Sequence, residues 1–144
     1  MPPVLRPMHP ADAPAVARLL PDLGYDATPA QLEARLAALR AWPDQEAFVA
    51  ELDGAVVGLC QVQGVRLLAS DGYAEIQALV VAAACQGGGD GKSLVGHASA
   101  WAFARGYARV RLRSGTHRVA AHGFYEALGF EKARASFAFE KLDL

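Results

Sequence analysis

The sequence predicts a single mixed α/β domain over residues 1–144, of the α+β kind, with helices packed on a mostly antiparallel sheet. Three observations predict it. Apolar residues recur at helical spacing through roughly the first forty positions, then turn to strand-like runs that end at Val81. Two Asp-Gly dipeptides, at 53–54 and 71–72, divide those runs as tight turns do. A glycine-rich stretch, "CQGGGDGKSL" at 85–94, then separates the last of them from another helical pattern. The element order is β-αα-βββ-α-β-α-β.

Each element has its own signal. Val4 to Arg6 is a short apolar start, ended by Pro7 and Pro10. In "ADAPAVARLLPDLG", Val16, Leu19, Leu20 and Leu23 share one helix face, and Gly24 stops the helix. Thr28 is a good N-cap with Pro29 at the first helical position, so "PAQLEARLAALRAW" is a second helix with Leu32, Leu36 and Leu39 inward. "EAFVAEL" and "AVVGLCQVQGVRLLAS" are strands joined at Asp53-Gly54, and "YAEIQALVV" is the third of that set. "GKSLVGHASAWAFARG" is a helix closed by Gly106, "ARVRLRS" a strand, and "RVAAHGFYEALG" a helix ended by Gly129. "ARASFAFEKL" alternates as a last strand.

Composition narrows the function. The chain is 53% hydrophobic and 20% charged, enough to bury a core. A net charge of −1 argues against a nucleic-acid partner, which asks for a strongly basic surface. No run of ~18 uncharged apolar residues suggests a membrane span, and "MPPVLRPMHP" lacks the apolar heart of a signal peptide. A cytoplasmic protein is therefore expected. Cys60 and Cys85 make neither a metal spacing nor a disulfide framework. His117 and His122, five apart, would stand 500° apart around a helix, so no metal site is expected.

The glycine run asks which phosphate it holds. A Walker A loop would need glycine five positions before Gly91, where Gln86 stands. A dinucleotide fingerprint begun at Gly87 meets Lys92 where its third glycine belongs. What remains is Q/R-x-x-G-x-G/A: Gln86, Gly87, Gly88, Gly89, Asp90, Gly91. Glycines let a diphosphate approach main-chain N–H groups at a helix N-terminus, where the helix dipole favours negative charge. A flexible surface turn is the plainer alternative.

This loop resembles the acyl-CoA pyrophosphate loop of the GNAT superfamily of N-acetyltransferases. "GYAEIQALVV" is similar to that family's fourth strand, "AAHGFYEALGF" to its later helix and turn, and "ASFAFEKL" to its last strand. The likeness runs from Val4 to Leu142. It implies a GNAT-like fold with a central sheet of six to seven strands and about four helices, and acetyl-CoA as acyl donor. It further implies transfer to a primary amine of a small molecule by direct attack in a ternary complex. A homodimer is common in such families. The fourth strand and "AHGFY" also resemble aminoalkylphosphonate N-acetyltransferases. A non-catalytic acyl-CoA-binding or regulatory domain on the same fold is the alternative.

The resemblance also implies the site. Pantetheine would pair with the main chain of Leu79, Val80 and Val81, and the diphosphate would lie on Gln86, Gly87, Gly88, Gly89, Asp90, Gly91 and Lys92. Asp90 stands where the family has an apolar residue, and Gln86 where arginine is commoner; both make the cradle less positive. Tyr125 falls at the position of the acid that protonates the departing sulfur. Arg118, in the pattern Ser114, Gly115, Arg118, Ala121, His122, Phe124, Tyr125, would reach a phosphate; its other reading is a surface cation at a helix N-terminus. Strand alternation puts Glu75, Gln77, Leu79 and Val81 on one face, so Glu75 is the candidate base, or else a solvated surface glutamate. Tyr25, Asp26 and Arg66 are candidate wall residues for the amine, or solvated surface.

Overall fold

The computed structural model describes residues 2–143, which fall into two compact units, one ending at Leu112 and the other beginning at Arg113. The first holds a five-stranded sheet in the order β1 (Val4–Pro7), β2 (Gln45–Leu52), β3 (Ala55–Val65), β4 (Tyr73–Val81) and β5 (Val110–Leu112). β1 to β4 run antiparallel to their neighbours, and β5 joins β4 in parallel.

Local chemistry sets the elements. α1 (Ala13–Leu19) is framed by 3-10 turns, the second of which, Leu20–Leu23, ends at Gly24, whose φ of +83° suits glycine. α2 (Pro29–Arg40) opens on a reciprocal cap: Gln31 N–H donates to Thr28 Oγ1 at 3.1 Å, and Thr28 N–H to Gln31 Oε1 at 2.9 Å. Asp53 and Gly54 both have positive φ, 51° and 81°, as a two-residue hairpin turn needs.

α1 and α2 cover one sheet face, burying Met8, Val16, Leu19 and Leu36 against Val49, Leu59 and Val80. α3 (Asp90–Ala104) covers the other, where Phe48 meets the His97 ring at 4.3 Å and Leu94 is fully buried. Arg6 ties β1 to the start of α1, donating to both Asp12 oxygens at 2.8 and 2.9 Å, while His9 N–H donates to Asp12 at 2.8 Å. A second polar knot forms at the start of β2. There Asp44 accepts the Tyr107 hydroxyl and pairs with Arg105 at 3.3 Å and Arg66 at 3.5 Å.

The second unit contains α4 (Val119–Ala127). His122 Nε2 donates to the Gly115 carbonyl at 2.9 Å, and Phe130 N–H closes the helix on the Tyr125 carbonyl at 3.1 Å.

Three expectations need correction. Among the described residues the sheet has five strands, not six or seven. β3 stops at Val65, because 66–70 turn away from the ladder. "ARASFAFEKL" forms no strand among the described residues. Alternation says which side chains share a face, but a strand also needs a ladder for its main chain.

Candidate functional site

β4 is paired unevenly. β3 accompanies it from Tyr73 to Val81, but β5 has rungs only from Ala74 to Ile76. The change falls at a β-bulge: Val62 faces Ile76 and Gln61 faces Ala78, so Gln77 is extra. Past the bulge, Ala82 N–H donates to Val57 on the β3 side at 2.8 Å. Alternation then turns the main-chain groups of Leu79 and Val81 to the side where β5 has no rung. The Val80 side chain is in the core, and the Gln86 side-chain amide donates to the Val81 carbonyl at 3.2 Å.

The glycine turn follows directly. Gly87 and Gly89 have φ of 85° and 90°. An added Cβ at either would meet nothing within 4 Å, so conformation and not crowding calls for glycine. Gly88 N–H reaches the Cys85 carbonyl at 3.3 Å. The first bond of α3 is Ser93 N–H to the Gly89 carbonyl, 3.0 Å, so the N–H groups of Asp90, Gly91 and Lys92 come before it. Gly89, the N-cap, has no side chain to satisfy them. Main-chain N–H groups at a helix N-terminus are the kind that can take an anion. Asp90 is 5% exposed, and among the described residues its carboxylate accepts none of these amides. Lys92 is exposed and Gly91 half-buried.

A cavity of about 300 Å³ opens between α1, α2 and the sheet. Its floor includes Gln61 and Ala78, the rung beside the bulge, and Tyr25, Asp26 and Arg35 border it. The next rung on that face pairs Gln63 with Glu75, and Gln45, opposite Gln63, donates to the α2 carbonyl of Leu39 at 2.6 Å. Glu75 therefore stands on the α1–α2 face with Ala78 and Val80. Unbroken alternation had put it with Leu79 and Val81; the extra residue shifts the phase by one. Arg66 does not line the cavity: it pairs with Asp44 and lies over the Tyr107 ring at 5.4 Å.

In the second unit, Tyr125 is half-buried and meets Phe124 and Phe130 edge-on, with centroids at 5.5 and 6.1 Å. Arg118 is the exposed N-cap of α4. Burial pushes the Cys60 thiol up to about 12, with Glu46 adding to the shift, so it carries no nucleophilic thiolate at neutral pH. Sequence reasoning missed Arg35 and Gln61. Arg35 was readable as a cation beside the leucine stripe of α2; the bulge had no signal.

The description "Acetyltransferase (GNAT) family" belongs to the family model that matches residues 16–130. Among similar solved structures is one described as a candidate acetyltransferase from Agrobacterium tumefaciens str. C58, with 32% identity, a TM-score of 0.85 and 96% of this chain and 99% of that chain covered. A transcriptional regulator from Bacillus halodurans C-125 shares 23% identity with a TM-score of 0.87, over 96% and 99% of the two chains. AAC(6')-Iy, in complex with the bisubstrate analogue CoA-S-monomethyl-acetylneamine, shares 18% with a TM-score of 0.83, over 97% and 98%. The last two are similarities of fold alone. No curated protein matches the chain.

Proposed function

Because the chain belongs to the acetyltransferase (GNAT) family, whose members use acetyl-CoA, we propose that it acetylates a primary amine of a small molecule by direct attack in a ternary complex. The observation that carries this reading is the glycine turn, with amides ahead of the first α3 bond, set directly after the half-paired end of β4. The two fit the acyl donor's parts. Within the turn from Gln86 to Lys92, the amides of Asp90, Gly91 and Lys92 suit a diphosphate, and the outward main chain of Leu79 and Val81 suits the amide-bearing arm of pantetheine. Val80 would contribute through its place in the strand, and Arg118 through its guanidinium.

Acetyl-CoA supplies an activated acyl group. The chain's own residues supply position and protons. The α1–α2 cavity holds the amine, and Glu75 takes a proton from it through water. The new bond is nitrogen to acyl carbon and the broken one is carbon to sulfur. Tyr125 gives its proton to that sulfur. Holding amine and thioester together contributes much of the rate. None of the relatives named above is of the aminoalkylphosphonate type, so the choice of amine rests on the cavity.

One second reading is kept, an acyl-CoA-binding or regulatory domain on the same fold without turnover, since the glycine turn and the half-paired end of β4 would serve binding alone equally well. Calorimetry with CoA and thiol release with an amine panel separate them. Tyr125→Phe is expected to lower kcat by about 100-fold, the lower range for a general acid, with CoA affinity kept. CoA binding with no thiol release from any amine would leave the second reading standing, and no CoA binding would remove both.

A further inference from the structure

The cavity between α1, α2 and the sheet is not built for a polycation. Val16, Leu20, Leu32, Leu36, Leu39 and Leu59 wall it with aliphatic carbon. Filling such walls with a hydroxylated or multiply charged body would strip water from polar groups and give them no partner. At about 300 Å³ it lies at the small end of ligand sites. An apolar body of a few carbons is what it can desolvate well.

Two charged groups stand at its border with opposite signs. Among the described residues, neither Asp26 nor Arg35 forms an ion pair, with the other or with any third group. They are not equivalent. Asp26 lies two residues before Thr28, the N-cap of α2, where the helix dipole favours its negative charge. Arg35 stands mid-helix, one turn from both Leu32 and Leu39, with no such compensation. Its planar guanidinium can take a carboxylate through two parallel bonds. Tyr25, at the same border, offers a ring to the apolar body.

The geometry points to an acceptor that is a small primary amine with an apolar body and a carboxylate at its far end, held by Arg35. This rests on the acetyl-transfer reading. The amine reaches towards the floor at Gln61 and Ala78, one rung from Glu75. The body lies along the leucines of α2, and the carboxylate meets Arg35. Arg35 is thus a specificity residue and takes no part in the chemistry.

Thiol release is measured with acetyl-CoA and four acceptors: 6-aminohexanoate, hexylamine, spermidine and neamine. The expected order places 6-aminohexanoate first, with kcat/KM at least tenfold above spermidine and neamine. Arg35→Gln is expected to reduce the preference for 6-aminohexanoate over hexylamine about tenfold, through the KM of the former. A folding defect would not produce that split, and Arg35 is exposed, so the variant is expected to fold. Faster turnover of spermidine or neamine overturns this inference and leaves acetyl transfer standing. An unaltered preference in Arg35→Gln overturns the role of Arg35. Should no amine be turned over, acetyl transfer fails. Calorimetry of 6-aminohexanoate on the CoA-saturated protein then still judges the cavity: binding weaker than that of spermidine overturns the inference.

Discussion

Asp44 is a non-glycine residue at φ 62°, a region that aspartate tolerates better than most. Its main chain accepts Gly64 N–H at 2.9 Å, and its carboxylate gathers Tyr107, Arg66 and Arg105. A Cβ on Gly64 would land on the Tyr107 hydroxyl and the Asp44 carboxylate. Gly64→Ala is therefore expected to cost about 1–3 kcal/mol in a urea melt. The Arg6–Asp12 pair gives a pH signature. Its hydrogen bonds to Arg6 hold Asp12 below the ordinary aspartate value, against the opposing effect of burial. The unfolded chain takes up this proton near pH 4, before the folded one does. The contribution is present above that pH and is lost as pH falls through the lower folded value. Asp12→Ala should cost about 2 kcal/mol at pH 6 and progressively less on acidification. A wild-type-to-variant gap that widens towards pH 2 would contradict this. The Asp44 knot could not be read from sequence, since Asp44 and Tyr107 are distant in the chain and become neighbours only once the sheet exists.

At the scale of elements, what was legible was local. Thr28 and Pro29 announced α2, and Asp53-Gly54 announced the β2–β3 turn, because each needs only its neighbours in the chain. Thr28→Ala is expected to cost about 1 kcal/mol, read by thermal melting. The glycine turn was legible for the same reason. Its geometry gives a sharper test: Gly89→Ala forces a side chain into φ 90°, costing about 1–2 kcal/mol, and should weaken CoA binding in calorimetry. The last strand and the reach of β3 were misread because both depend on partners elsewhere. The faces of β4 were misread because one extra residue is invisible to alternation.

For the molecule as a whole, the sheet sets the order of stability within the first unit. β3 has a bonded neighbour on each side along nearly its full length, whereas β1 and β5 are edges. Hydrogen exchange should be slowest at β3 and fastest, among the strands, at β1 and β5. Phe48, fully buried, reports on the same core: Phe48→Ala is expected to cost about 3–5 kcal/mol. The bulge at Gln77 has a wider consequence. That residue brings no reactive group, yet its presence bends β4 where the β5 rungs end. Loss of one codon there would leave Ile76 opposite Val62 and Ala78 opposite Gln61, a smoother strand. Length at this one position, more than side-chain chemistry, thus sets whether β4 runs straight or kinked beside the last β5 rung.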